Sequence, residues 1–390
     1  ASSRQAGHSD IWRTIMVSGR EEAAPTFLFW KDRLERADSA HLPEEAAAFR
    51  SVLEAVGTPM IDGPEVNFIY YGPEAKQVLL AGEFNQWGRG GQPIQMEPIG
   101  RTGFLYHTMV LDEPARLEYK LVVDGEWQTD PLCQNSVDNG IGGRNSYFVV
   151  GDLGEPPELQ SNPSIAHGLV ETIEYESSRL ANSRRVYVYL PPQYDDDASA
   201  SFPSLYVHDG GEYLERAKLA TVLDNLIAAA EVPPIVAVMI DPVDRMREYR
   251  DDDDYVDFLC GELMETVERR FRIRPERASR GVMGASLGGL ISVYAALSRP
   301  SIFSRVAGQS SALQYDEEKI AALLKGVKRE RFRFYFDVGK FEPRFIPANQ
   351  RFVASVKKKK WPCFYQELPG GHNWTSWRAH LKDLLTFLWG

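Results

Sequence analysis

The stretch Gly281-Val282-Met283-Gly284-Ala285-Ser286-Leu287-Gly288-Gly289-Leu290 sets a serine at the centre of Gly-x-Ser-x-Gly, after short apolar residues and before a run with helical spacing. A strand that turns sharply into a helix brings the backbone two residues before and two after the serine too close for a β-carbon, hence glycine at 284 and 288. Such a turn exposes the Ser286 hydroxyl. It also aims the Leu287 N–H, at the positive end of the helix, toward an oxygen that becomes negative when an ester carbonyl is attacked. The flanks agree with this reading: residues 280–283 suit a buried strand, and residues 287–298 keep apolar residues at helical spacing until Pro300. Strand, turn and helix stand in the order of a serine hydrolase's nucleophile elbow.

A serine nucleophile needs a base, and only two histidines follow it, His372 and His380. His372 lies in Leu368-Pro369-Gly370-Gly371-His372-Asn373-Trp374, where two glycines make a loop able to carry an imidazole out to a site, between a last strand (363–368) and a final helix (377–388). His380 falls inside that helix, so His372 is the candidate base. In α/β-hydrolases the order is serine, acid, histidine. The preceding strand reads as residues 332–339, and the loop after it, Lys340-Phe341-Glu342-Pro343, is at the end where ligand-facing groups collect. Glu342 is therefore preferred as the acid over Asp337, which lies within the strand. The second oxyanion donor is expected after the strand 203–208, where Asp209-Gly210-Gly211 places the Gly211 N–H beside that of Leu287; an ordinary glycine turn is the plainer alternative.

The chain has 390 residues and 43% hydrophobic content, enough for two cores. With 44 basic against 55 acidic residues the net charge is −11, which argues against a nucleic-acid partner. The basic run 357–360 reads as the exposed end of a helix, and the acidic run 251–254 as a loop or first helical turn. Cys133, Cys260 and Cys363 make neither a disulfide framework nor a zinc spacing, so no metal or other cofactor is expected. No apolar run is long enough to span a bilayer, and no signal-peptide pattern opens the chain. It begins Ala1-Ser2-Ser3 without methionine, which leaves the compartment open between cytoplasm and, after removal of a leader, periplasm or exterior. The oligomeric state is open too.

The front of the chain follows other rules. Residues 24–37 and 43–56 carry amphipathic helical patterns in a segment 1–60, and from Glu65 the period becomes two. Apolar alternation at 66–71, 77–81, 103–110, 117–123 and 146–150 predicts a small β-sandwich over 61–152. Its motifs, Gly82-Glu83-Phe84-Asn85-Gln86-Trp87, residues 119–127, Asp130-Pro131 and Gly143-Arg144-Asn145, resemble the glycogen-binding module of AMP-activated kinase β subunits and of branching and debranching enzymes. That resemblance implies sugar stacking on Trp87 and Trp127, with Lys120 and Asn145 hydrogen-bonding hydroxyls. Flat aromatic faces bury the apolar side of a sugar while polar groups at the edge fix its orientation. The same sandwich could instead be a packing domain or a wall of the catalytic pocket.

A connector, 151–163, leads to an alternating hairpin over 171–192, continuous apolar strands at 205–208 and 235–240, and helices at 219–230 and 255–271. Residues 164–390 resemble the esterase D and enterochelin esterase group of α/β-hydrolases, which includes feruloyl and acetyl xylan esterases. The resemblance rests on residues 178–186, Asp209-Gly210, Gly284-Ala285-Ser286-Leu287-Gly288-Gly289, Glu342-Pro343, Ala348-Asn349-Gln350 and Gly370-Gly371-His372. It implies a mostly parallel central sheet and supports Glu342 as the acid. Arg245-Met246-Arg247-Glu248-Tyr249 matches an Arg-x-x-Glu-aromatic element near the family's active-site mouth, so that Arg245 or Arg247 meets an anionic or catecholate group, unless it forms a structural ion pair. The expectation is a serine carboxylesterase acting on acyl esters of carbohydrates, acetyl or cinnamoyl in type. A siderophore trilactone is the alternative substrate, and a non-catalytic glycan-binding protein the alternative of another class.

Overall fold

A computed structural model describes residues 26–89, 93–140 and 142–390, and the chain divides into two compact units, Ala1–Leu153 and Gly154–Gly390. In the first, α1 (Phe27–Arg36) starts where Thr26 Oγ1 accepts from Phe29 N, and α2 (Leu42–Val56) opens with a proline and two glutamates, residues that suit a helix N-terminus. The predicted start of the first helix at Ala24 lies outside the described residues. Phe27, Trp30 and Leu34 of α1 and Phe49, Val52 and Leu53 of α2 cluster with Ile69, Ile99 and Phe104, so both helices bury their apolar faces on the β elements.

Those elements are β1 (Met60–Asp62), β2 (Glu65–Tyr71), β3 (Val78–Gly82), β4 (Ile94–Gln95), β5 (Glu97–Pro98), β6 (Phe104–Val110), β7 (Ala115–Val123), β8 (Glu126–Gln128), β9 (Ser136–Asp138) and β10 (Arg144–Val150). They pair antiparallel in two sheets, β1-β2-β6-β5 and β4-β3-β7-β10-β9, with β8 on β7. Phe68 of the first sheet meets Tyr119 and Phe148 of the second at 4.9 and 5.3 Å between ring centroids. The five longer strands stand where the alternation predicts them. The shorter ones, of two or three residues, are too brief to show a period.

In the second unit eight strands make one sheet: β11 (Leu169–Ser177), β12 (Asn182–Leu190), β13 (Ser204–His208), β14 (Val236–Ile240), β15 (Arg280–Ala285), β16 (Arg305–Gln309), β17 (Arg333–Gly339) and β18 (Cys363–Leu368), in the order β11-β12-β14-β13-β15-β16-β17-β18. β11 and β12 form an antiparallel hairpin, β12 runs antiparallel to β14, and every other neighbouring pair is parallel. Alternate residues go to opposite cores: Val186, Tyr206, Val238 and Val282 to one, Tyr187, Leu205, Met239 and Met283 to the other. Burial on both faces is why these strands read as continuous apolar runs.

The helices between the strands are α3 (Gly210–Glu215), α4 (Leu219–Ala228), α5 (Arg245–Glu248), α6 (Asp253–Asp257), α7 (Met264–Arg270), α8 (Leu287–Ser298), α9 (Glu317–Gly326), α10 (Ile346–Lys358), α11 (Trp374–Arg378) and α12 (Leu381–Trp389). The single helix expected over 255–271 is α6 and α7 joined by a π-helical segment, Phe258–Leu263, because apolar spacing does not distinguish a widened turn from an α turn. The expected final helix is α11 and α12, with His380 at the break. Asp252 caps α6, and Lys357 and Lys358 end α10, so both charge runs complement helix dipoles. Among the described residues no helix is long and apolar enough to cross a membrane.

Candidate active site

Ser286 stands between the end of β15 and the start of α8 with φ 58° and ψ −118°, a conformation that serine adopts only where its surroundings enforce it. The enforcement comes from the end of β16 and the loop after it. Ser286 N donates to Gln309 O (2.8 Å), and Ala312 N donates to Ser286 O (2.9 Å). A β-carbon on Gly284 would lie 2.8 Å from Gly288 Cα, which is the close approach that the motif's spacing implies.

The side chains that the sequence singled out from three distant stretches come together here. His372 Nε2 is 2.9 Å from Ser286 Oγ, and His372 Nδ1 is hydrogen-bonded to Glu342 Oε1. Glu342 follows β17 and is 4% exposed, so its carboxylate has few solvent partners; Oε2 accepts from Ser310 Oγ at 2.6 Å and from Gly339 N at 2.5 Å. The His372 ring stacks on Phe345 (4.5 Å between centroids) and meets Trp377 in a T-shaped pair (5.0 Å). Trp377 Nε1 in turn donates to Ser310 Oγ at 2.9 Å.

Asp337 lies within β17, buried, where it accepts from Gln309 Nε2 at 3.1 Å. Burial pushes its carboxyl up to about 7, against hydrogen bonds from Gln309 and Tyr335 that favour the charged form. His208, at the end of β13, is a core histidine: Nδ1 lies 2.9 Å from Ser292 Oγ, and burial pushes it down to about 3, so it is neutral. His380 also has its pKa lowered by burial and lies near Asp383.

Three of the expected site residues are held by partners within the protein. The Gly211 N–H, expected to be open to an oxyanion, donates to Asp241 Oδ1 at 2.7 Å, while Asp241 Oδ2 accepts from Tyr187 OH at 3.2 Å and pairs with Arg185. Arg245 forms the structural ion pair that was its alternative reading: Nε and Nη2 grip Asp209 at 2.7 and 2.8 Å, a bidentate pair that secures the loop after β13. Asn145 is buried, and its amide donates to Glu118 Oε2 at 2.9 Å rather than facing a sugar. These partners are distant in sequence, which is why no local pattern announces them. Arg247 remains 70% exposed at its side chain, 3.4 Å from Asp252. Trp127, on β8 opposite Val122, is 50% exposed, whereas Trp87 and Lys120 are half-buried. The residues that sequence reasoning missed are Ser310, Trp377 and Asp241, none of which belongs to a recognisable motif.

Comparison with known proteins fits this geometry. The model of the Esterase family matches residues 177–388, more than half of the chain. The chain belongs to that family. This esterase is accordingly a carboxylic ester hydrolase. Ahead of that region, residues 65–153 match the glycogen recognition site of AMP-activated protein kinase. The esterase is 30% identical to the protein YbbA of Bacillus subtilis strain 168 over 47% of its own length and 78% of that relative's. It is 29% identical to the iron(III) enterobactin esterase of Escherichia coli O6:H1 over 67% of each chain. Among solved structures, the ferric enterobactin esterase of Salmonella typhimurium superposes with a TM-score of 0.70 at 22% identity, covering 83% of this chain and 93% of that one, a likeness of fold.

Proposed function

We propose that this esterase works through a Ser286–His372–Glu342 triad and an acyl-enzyme. The observation that carries the reading is the Oγ–Nε2 separation of 2.9 Å with the other ring nitrogen on a buried carboxylate. Glu342 accepts a hydrogen bond from the Nδ1–H, which leaves the Nε2 lone pair facing the serine hydroxyl. His372 then takes the Oγ proton as Oγ attacks the ester carbonyl, and hands it to the leaving alkoxide. Leu287 N–H, at the start of α8, stabilises the oxyanion, and Gly211 N–H joins it once Asp241 withdraws. Water deprotonated by His372 releases the acid. In the same reading the second unit, from about residue 164, is an α/β-hydrolase with a mostly parallel sheet, and residues 61–152 form an immunoglobulin-like sandwich behind a helical segment.

For substrate we take an acyl ester on a carbohydrate, supported by the glycogen-type match and by the exposed face of Trp127. Arg247, exposed after β14, is the residue we take to meet an anionic or catecholate group of the substrate. A second reading, opening of a siderophore trilactone, is favoured by the likeness to an enterobactin esterase over 67% of the chain. The test is a panel of p-nitrophenyl acetate, methyl ferulate, acetylated oligosaccharides and ferric enterobactin, with wild type and Ser286→Ala, alongside fluorophosphonate labelling. Turnover and labelling lost together in the variant support the triad, and the preferred substrate decides between the readings. Absence of both in folded wild type would leave a glycan-binding protein.

A further inference from the structure

Behind Glu342 lies a second tier of hydrogen bonds whose direction is fixed by chemistry. Indole nitrogen only donates, so Trp377 Nε1–H is the hydrogen-bond donor to Ser310 Oγ, 2.9 Å away. The hydroxyl proton of Ser310 is then directed to the remaining close acceptor, Glu342 Oε2 at 2.6 Å. Gly339 N holds the same oxygen from another side at 2.5 Å. The carboxylate is thereby pinned in one plane with Oε1 left for His372 Nδ1.

The backbone points the same way. Ser310 is 1% exposed and has φ 46°, a left-handed conformation that glycine adopts without penalty and serine does not. A position that favours glycine but carries serine is one where the hydroxyl matters. Its setting is built from both sides: Ser310 N donates to Asp337 O (2.8 Å), and Asn349 Nδ2 holds Ser311 O at 2.8 Å. Trp377 also meets the His372 ring in a T-shaped contact, so one side chain touches the base and, through Ser310, the acid.

We propose that Ser310 and Trp377 are positioning residues of this esterase, a donor chain Trp377→Ser310→Glu342 that orients the carboxylate and sets how strongly it supports the His372 imidazolium. The proposal rests on the triad reading. Removal of the hydroxyl donor takes one hydrogen bond from the Glu342 carboxylate, which then turns less well to His372 and accepts more strongly from its Nδ1–H, so catalysis slows and its pH dependence moves.

The experiment compares wild type, Ser286→Ala, Ser310→Gly, Trp377→Phe and the Ser310→Gly/Trp377→Phe double variant on p-nitrophenyl acetate from pH 5 to 9, with melting temperatures. Glycine relieves the backbone conformation while deleting the hydroxyl, so loss of fold is separated from loss of function. Expected for Ser310→Gly is a fall in kcat of about tenfold, KM within about twofold, an unchanged or higher melting temperature, and an acidic limb of kcat/KM shifted up by about half a pH unit. Asp337 titrates in the same window, so the readout is the difference from wild type. Trp377→Phe is expected to shift both quantities in the same direction by less, and to add nothing in the double variant. Wild-type kcat and pH profile in Ser310→Gly overturn the proposal, as does a Trp377→Phe effect of equal size in both backgrounds. An active Ser286→Ala would instead overturn the triad reading itself, which keeps the two failures apart.

Discussion

Asp241 holds its carboxylate on the Gly211 N–H at 2.7 Å, which makes a side-chain anion the resident occupant of a donor suited to a transition-state oxyanion. Both are negative oxygens, and only one fits on one N–H. Tyr187 OH and Arg185 lie on the other carboxylate oxygen, at 3.2 and 3.3 Å. Asp241→Ala deletes the competitor without touching Ser286, His372 or Glu342. The expected outcome is kcat/KM on p-nitrophenyl acetate raised about threefold, since a donor engaged in the ground state must be released before it helps. A fall of tenfold or more would show instead that the carboxylate orders the Gly211 loop for catalysis. The distinction between the two could not be read from Asp209-Gly210-Gly211 alone. A sequence shows where a turn can place an N–H, but not which distant side chain reaches it first.

Among the elements, the short helix α5 is fastened to β12 by a fully buried ion pair. Arg184 Nη1 and Nη2 meet Glu248 Oε2 and Oε1 at 3.0 and 2.8 Å, and Val243 N adds a third donor to Glu248 at 3.2 Å. Two parallel bonds with both charges out of water make this pair unforgiving: remove one partner and the other is stranded. Glu248→Ala should therefore cost about 3–5 kcal/mol in urea unfolding, with Arg184 left uncompensated beneath Phe258. The double replacement Arg184→Leu/Glu248→Leu should recover most of that loss. Equal destabilisation by the single and double variants would mean that packing, not charge, is what the pair supplies. α5 also carries Arg245, whose grip on Asp209 ties the ends of β13 and β14, so loss of Glu248 should lower kcat as well as stability.

At the scale of the whole molecule, the legible features were those with a period or a rigid local rule. The switch from helical to alternating spacing near residue 65 marked the change of element type, and buried strands announced themselves as unbroken apolar runs. The elbow was legible because backbone geometry dictates its glycines, and the Gly-Gly-His loop and the Glu-Pro after β17 from their place at strand ends together with the family resemblance. Hydrogen-bond partners were not: Ser310, Asp241 and Glu118 gain their roles only when the sheet is assembled. Asp337 shows the thermodynamic consequence of such assembly. Its carboxyl, pushed up to about 7 by burial, keeps a proton that the unfolded chain has released from about pH 4 upward. The folded state then binds more protons than the unfolded state across that window, so stability falls as pH rises from about 4 to about 7, by at most on the order of 4 kcal/mol. Above pH 7 both states are ionised and the slope from this group ends. Asp337→Asn keeps an acceptor for Gln309 Nε2 and removes the titration, so urea unfolding of the variant between pH 4.5 and 7.5 should lose this downward component and gain on wild type as pH rises. A variant that tracked wild type at every pH would show that Asp337 ionises in the fold as it does in water.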